Sequence, residues 1–471
     1  MKIELPTVGP VVGYTGPNFV RFWAKGKFEK TADGYRRRFG VARIRPKGGE
    51  FGKPQFNKMT PTFDMSAVIA FGGLQPETDY EYQFGWFFDE SDLEKVGKVQ
   101  ALVWEEVDIQ NFRTAAADAT RPRSYVFGSC RYFLRLLGGT FCDHRGDKTF
   151  RSILEQIADK QRVDALLMVG DQIYADDLNF FAPDTKADQF LERYRIVFSQ
   201  EHIRRLMSSV PTYMILDDHE IEDNWPEKAT DKDRLHLYPA AMHAYQVYQA
   251  SHSPVFDLDK KTKRIDGTME ELWYKFQDGC CDFFVMDSRT ERVWSKIPEE
   301  RQMIGQPQLK ELKKWLNDGS GRVKMVITSV PVFPDLKNES PDKWSGFLPQ
   351  RTEILDFILE KKVQKVVFLS GDVHCSLSAQ LISSKDPNFR VTSIISSSFF
   401  WPYPHMDEGG FMLKGKLKVT SGNDYNVVFD KKCKVAFTDN FTRLEVTSQD
   451  LTVKVYERKG DQIGSAITYQ F

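Results

Sequence analysis

The sequence predicts an α/β protein in which a small all-β sandwich precedes a larger layered domain. Three observations carry that expectation. Residues 1 to 118 alternate apolar and polar side chains, and from residue 119 onward short apolar runs alternate with helical patterns. Three of those runs end in clusters of ligand-type side chains: DALLMVGDQIYADD from Asp164, PTYMILDDHEIEDNW from Pro211 and KVVFLSGDVHCS from Lys365. Short apolar strands that release polar side chains at their C-terminal ends are how open α/β sheets build their sites.

In the first part, VGYTGPNFVRFWAKG predicts a turn and a strand, and YRRRFGVARIRP alternates. GGLQPETDYEYQFGWFF places Tyr80, Tyr82 and Phe84 on one strand face. Leu74, Pro76, Thr78 and Tyr80 resemble the corner of fibronectin type III and immunoglobulin-like sandwiches. The basic residues Lys25, Arg36, Arg37, Arg38, Arg43, Arg45 and Lys47 read as a solvated strand face, with an anion-binding surface as the alternative. AAADATRPR from Ala115 has the composition of a boundary, which divides the chain into 1–118 and 119–471.

Beyond it, SYVFGSC, VDALLMVGD and PTYMILDD predict strands, separated by the helical FRSILEQIADKQ and by one helical stretch from Thr185 to Val210. A further helix starts at Asp233. CCDFFVMDSR, VKMVITSVP and KVVFLSGD are three more apolar strands, with QPQLKELKKWLND and RTEILDFILEKK as helices between them. TRLEVTSQDLTVKVYER and ITYQF alternate again and are expected to complete the sheet.

Composition excludes several classes of function. With 65 basic and 66 acidic residues the net charge is -1, so no nucleic-acid-binding signature is present. No run approaches the roughly 18 continuous apolar residues of a transmembrane helix, and the N-terminus has no signal-peptide pattern. Cytoplasmic residence is the default expectation, with a secreted mature form as the alternative. The six cysteines show no CxxC pair, which disfavours a zinc knuckle or a disulfide framework. A monomer or small homo-oligomer is expected.

The chemistry concentrates at the strand ends. Asp171 and Asp372 each follow a glycine that frees the backbone for a tight turn. Tyr174 and His374 lie close enough behind them for each loop to offer two ligands to one ion. Cys130 ends the strand VFGSC, and Asp217, Asp218 and His219 end PTYMIL. If Cys130, Asp171, Tyr174, Asp218 and Asp372 all ionise, five negative charges converge. A trivalent ion beside a divalent one would balance them, and a strong Lewis acid is needed to keep a phenol of normal pKa near ~10 deprotonated. Fe3+ is expected in the first site, with Ca2+, or else Mn2+, Mg2+ or Zn2+, in the second.

FGSC, GDQIY, DDHEIEDNW and GDVH together resemble the motifs of the PhoD-like alkaline phosphatases, a branch of the calcineurin-like metallophosphoesterases. FFVMDSRT, MIGQPQLKELKKWL and DKWSGFLPQRTEIL agree with that family, so the resemblance covers residues 124 to 380. It implies a four-layered α/β/β/α metallophosphoesterase domain behind the immunoglobulin/fibronectin-III-like sandwich. It also implies that Cys130, Asp171, Tyr174 and His374 hold the iron, that Asp171 bridges, and that Asp218, Asp372 and Asn224 hold the divalent ions. The implied activity is hydrolysis of a phosphate mono- or diester by a metal-activated hydroxide, with His219 as general acid oriented by Asp217 or Glu220. Arg289 and Arg131 are candidate phosphate clamps or carboxylate partners. The aromatic run SSSFFWPYP at 396–404 reads as a site wall or as a loop packed on the core, and the vicinal Cys280 and Cys281 as packing residues.

Other classes fit less well. No cysteine is followed six positions later by arginine, no GxSxG elbow exists and no Walker A sequence is present. A binding or adhesion protein that uses the sandwich is the alternative, and the clustered carboxylates speak against it because burying them is costly without a ligand.

Overall fold

A computed structural model of the chain describes residues 1–28, 37–89, 102–133, 135–136, 141–142, 144–177, 183–259, 265–266, 269–338, 341–430 and 432–471. Arg36 lies outside them.

The first strands form two antiparallel sheets. Val8–Thr15, Phe19–Lys25 and Ser66–Gly72 make one, and Gln55–Met59, Arg37–Pro46, Asp79–Asp89 and Gln110–Arg113 make the other. Tyr80, Tyr82 and Phe84 do share one face, and they meet Val20 and Phe22 of the opposite sheet. The Phe22 and Tyr82 rings stack at 4.1 Å. The Tyr80 hydroxyl accepts a hydrogen bond from the Gln75 N–H at 2.9 Å, which makes the expected corner. The basic cluster is only in part the solvated face expected of it: Lys47 is exposed and Arg43 and Arg45 are half-buried. Lys25 and Arg38 are buried, and Arg43 lies over Trp104 and Phe51. Burial of long basic stems against aromatic faces is favourable when the charge keeps a partner.

Lys25 shows where that partner comes from. Asp64, in a left-handed turn, accepts two hydrogen bonds from Arg195 (2.8 and 2.7 Å) and one from the Tyr248 hydroxyl, with the Lys25 ammonium at 3.7 Å. Arg195 and Tyr248 belong to later helices, so this carboxylate pins the sandwich to the rest of the chain. The Tyr82 hydroxyl donates to the Ser208 carbonyl, and Arg21 to that of Ser253. Asp64→Ala leaves two cations without their carboxylate. It is expected to lower stability by about 3 kcal/mol, read as a reduced urea midpoint with an unchanged slope.

Among the described residues, the larger part has two main sheets beside two short two-stranded ribbons. The first is six-stranded, with parallel strands Thr212–Met214, Ala165–Met168 and Arg123–Gly128. Asn440–Val446, Asp450–Glu457 and Gln462–Gln470 extend it in antiparallel fashion, so the chain's end completes the sheet as expected. The second is eight-stranded around parallel Cys281–Val285, Val323–Ile327, Val366–Ser370 and Arg390–Ile395.

The period-two pattern sorts the two faces. Tyr125, Phe127, Leu167 and Tyr213 point toward the second sheet, where Tyr213 stacks on Phe276 at 3.8 Å and Tyr125 meets Phe283. Val126, Leu166, Met168 and Met214 point the other way, into the helices Lys148–Ala158, Ala187–Phe198, Glu201–Met207 and Tyr238–Tyr248. The outer face of the second sheet is covered by Gln306–Leu316 and Leu348–Glu360. The layering is therefore α/β/β/α. The stretch 185–210, expected as one helix, is two, divided at Ser199 and Gln200. Cys280 and Cys281 are buried in the core between the sheets, as packing residues.

Candidate metal centre

The strands of both sheets release their C-terminal ends toward one seam. Cys130, Asp171 and the Asp217–His219 segment come from the six-stranded sheet, and Asp372, His374 and Arg289 from the eight-stranded one. Five of the predicted ligands adopt left-handed backbone conformations: Cys130 (φ 56°), Asp171 (55°), Asn224 (57°), Asp372 (72°) and His374 (51°). Non-glycine residues rarely sit there, and such conformations gather at functional sites.

The two glycines serve different ends. Gly170 has φ 109°, and a Cβ there would lie 2.7 Å from that of Asp217. Gly371 has no such conformation, but any side chain would strike Ser129 from the other sheet. Ser129 ties the sheets together. Its hydroxyl accepts from the Asp372 N–H (3.1 Å), donates to the Ser396 carbonyl (3.2 Å) and lies 3.2 Å from the Cys130 sulfur. Glu220 ties the ends of the six-stranded sheet in the same way, accepting from the backbone N–H groups of Asp171, Gln172 and Asp217.

One half of the centre is a thiol, a carboxyl, a phenol and an imidazole. Asp171 Oδ2 lies 3.2 Å from both Cys130 Sγ and the Tyr174 hydroxyl, which lies 3.4 Å from His374 Nε2. The other half is Asp217, Asp218 and Asp372, whose oxygens approach within 4.8 Å of one another. Asp171, Asp218 and His219 meet the same criterion, so Asp218 joins the two halves. Asp171 Oδ1 and Asp217 Oδ2 are buried without a hydrogen-bond donor, and Asp218 Oδ1 faces the Arg289 guanidinium at 3.3 Å.

Electrostatics make this arrangement costly in the absence of a cation. Burial, followed by Asp171 and Asp372, pushes the Cys130 thiol up, and burial with the neighbouring Asp171 and Cys130 does the same to Tyr174. Burial raises Asp171, with Asp217, Asp218 and Glu220 adding to it against His219. Asp217 is pushed up to about 7 by burial, although Arg289 opposes the shift. Burial first, and then His219 and His405, holds His374 well below the usual imidazole value, hence neutral. A neutral imidazole beside acids that need a positive neighbour to ionise fits a metal site. The residues fit a high-valent ion at the first half and an oxygen-preferring divalent ion at the second.

His219 is held by a residue absent from the sequence-based expectation. Its Nδ1 lies 2.9 Å from Asp176 Oδ2 and its ring stacks on Tyr174 at 4.2 Å. Neither Asp217 nor Glu220 orients it, because Asp217 faces Arg289 and Glu220 is taken up by backbone donors. Burial lowers the imidazolium, but Asp176, Asp218 and Asp171 more than compensate, and its pKa stands well above normal.

Arg289 is fully buried and pairs with Asp217, with Asp218 at 3.3 Å and with Asp342. Of the two readings kept for it, the structure puts it with carboxylates. Arg131 is directed elsewhere, donating to the Val197 carbonyl (2.9 Å) and Asp147 (3.3 Å) over the Phe150 ring. Asn224 supports Asp218 through its backbone N–H (2.7 Å), while its amide donates to Asp223. Trp401, from the aromatic run, stacks on His374 at 3.7 Å and forms a wall of the site.

Lys343 was not anticipated. Its ammonium pairs with Asp372 and lies 3.0 Å from Asp342. The only signal in sequence was its place in DKWSG, a stretch noted for resemblance rather than for charge.

The fold and the motifs both have counterparts among known proteins. A family described as PhoD-like phosphatase matches residues 137–454. Alkaline phosphatase D of Bacillus subtilis (strain 168) is 25% identical over 361 residues, 68% of this chain, and the match spans only 55% of that relative's length. Among solved structures, that of PhoD superposes with a TM-score of 0.72 at 16% identity, over 99% of this chain and 91% of its own. Purple acid phosphatase PPD1 from yellow lupin (Lupinus luteus) seeds gives 0.63 at 12% identity, over 99% and 74%. At these identities the two structures show a shared fold.

Proposed function

The chain belongs to the PhoD-like phosphatases, and from that premise we propose that it hydrolyses phosphate esters at the seam between its two sheets. In this reading residues 1–118 are a supporting sandwich and 119–471 the catalytic unit. One observation carries the proposal: the buried carboxylates of Asp171, Asp217 and Asp218, with Asp171 Oδ1 and Asp217 Oδ2 lacking a hydrogen-bond donor, converge beside a thiol, a phenol and a neutral imidazole. An adhesion protein has no use for such a cluster, since carboxylates crowded in a buried site destabilise the fold unless cations meet them all.

Cys130, Asp171, Tyr174 and His374 would hold Fe3+, with Asp171 shared, and Asp218 and Asp372 would hold Ca2+ or a similar divalent ion. Asp217 joins this second group on its position. The ions would supply Lewis acidity toward phosphoryl oxygens and lower the pKa of water. The protein's own part is proton supply and exclusion of solvent. Asp176 fixes the His219 ring through Nδ1, which leaves Nε2 to protonate the departing alkoxide. Trp401 shields His374.

Iron by elemental analysis, a visible tyrosinate-to-iron absorption band and turnover of a nitrophenyl monoester or a bis-nitrophenyl diester test this reading. A pure, folded protein with neither metal nor turnover refutes it. His219→Ala is expected to slow esters with poor leaving groups about 10²- to 10⁴-fold, and nitrophenyl esters much less. Asp176→Asn should cause a smaller loss of the same pattern, about 10- to 100-fold. Equal losses across leaving groups would remove the acid role.

A further inference from the structure

The two halves of the centre differ in how their charge is met. Among the described residues, no lysine or arginine contacts Cys130, Asp171, Tyr174 or His374 through an ion pair. The second half is surrounded by cations of the protein itself. Arg289 pairs with Asp217, Asp218 and Asp342, Arg292 with Asp342, and Lys343 with Asp342 and Asp372. Four carboxylates there face three fixed positive charges. Arg289 and Arg292 are sealed in, with side chains 0% and 1% exposed, whereas the Lys343 side chain keeps 13% exposure.

We propose that the Lys343 ammonium is a built-in competitor for the second cation, resting on Asp372 when that position is vacant and swinging to solvent when a divalent ion binds. The inference rests on the two-ion reading above and specifies how its second position is controlled. A unit charge within contact distance of a carboxylate opposes a second cation strongly, even after screening near the surface. Lysine suits this role, being a compact charge on a flexible stem, where arginine's planar fork would stay locked in place. The first ion is then held permanently, and the second exchanges with the surrounding concentration of divalent ion. Activity would follow free calcium while iron content stayed constant.

Equilibrium dialysis of the full chain against calcium chloride, after desalting into calcium-free buffer, tests this. Lys343→Met removes the charge and keeps the length, and should tighten calcium binding about tenfold or more, while Lys343→Arg, whose fork stays on the carboxylates, should weaken it below the wild-type value. Iron content should be the same in all three. A second measurement needs no variant: reductive methylation of Lys343 in the wild-type protein, followed by mass spectrometry, should rise when calcium is added. Retained iron with calcium binding unchanged or weakened in Lys343→Met, or with Lys343 labelling indifferent to calcium, would overturn the competitor role alone. Absence of both iron and calcium uptake in a folded wild-type protein would overturn the two-ion reading, and this inference with it.

Discussion

Asp171→Asn is expected to abolish retention of the first ion and to reduce turnover at least about 1,000-fold, equivalent to about 4 kcal/mol of transition-state stabilisation. Asp171 Oδ2 contacts both Cys130 and Tyr174, and Oδ1 is buried without a donor, so this carboxylate has acceptor capacity on both sides. Asparagine keeps one oxygen and loses the negative charge. The fold should tolerate the change, because burial and the carboxylates around it already raise the proton affinity of Asp171 in the absence of metal. Iron content and hydrolysis should therefore fall together while the melting temperature of the metal-free protein holds or rises. A variant that keeps its iron would remove Asp171 from the ligand set.

Arg289→Met is the opposite kind of change, with its largest effect on the fold. The guanidinium is fully buried and ties together Asp217, Asp218 and Asp342, which come from different strand ends and loops. Its removal leaves three carboxylates crowded in low dielectric, with Arg292 and Lys343 as the remaining counter-charges on Asp342. The expected loss is about 3 to 5 kcal/mol in the absence of divalent ions, measured by chemical denaturation. Added calcium should recover part of it, since a cation that binds only the native state stabilises that state by mass action. No recovery would mean that the second group of carboxylates does not bind calcium.

The strand ends were legible because parallel strands buried on both faces leave continuous apolar runs that stop abruptly at polar residues. That pattern marked Cys130, Asp171, Asp218, Asp372 and His374 before any coordinates. The second sheet was harder to anticipate from the same runs, since an apolar strand looks alike in one sheet or two, and the layering had to come from family resemblance. Asp176 escaped notice because local spacing favoured Asp217 and Glu220, whereas the loop after Tyr174 brings Asp176 back against His219 from 43 positions away. Lys343 escaped for a related reason: a lysine beside an aspartate in a loop reads as surface charge until folding brings Asp372 next to it. Arg131 takes the carboxylate-partner side of its two readings, pairing with Asp147, because adjacency to Cys130 does not set side-chain direction where the backbone turns left-handed.

The seam described by Ser129 and the two sets of strand ends bears on how the protein matures. Cys130 and His374 are 244 positions apart in sequence, so an ion bound by both closes a very long loop. A nascent chain that has displayed its first sheet strands offers a thiol, a phenol and a carboxylate, but neither Asp372 nor His374 has left the ribosome. An ion held by this whole set could therefore be taken up only once the second sheet is in place. Chains halted before that stage would carry a half-built site with an exposed thiol, which makes oxidation of Cys130 the chemical hazard of unfinished synthesis.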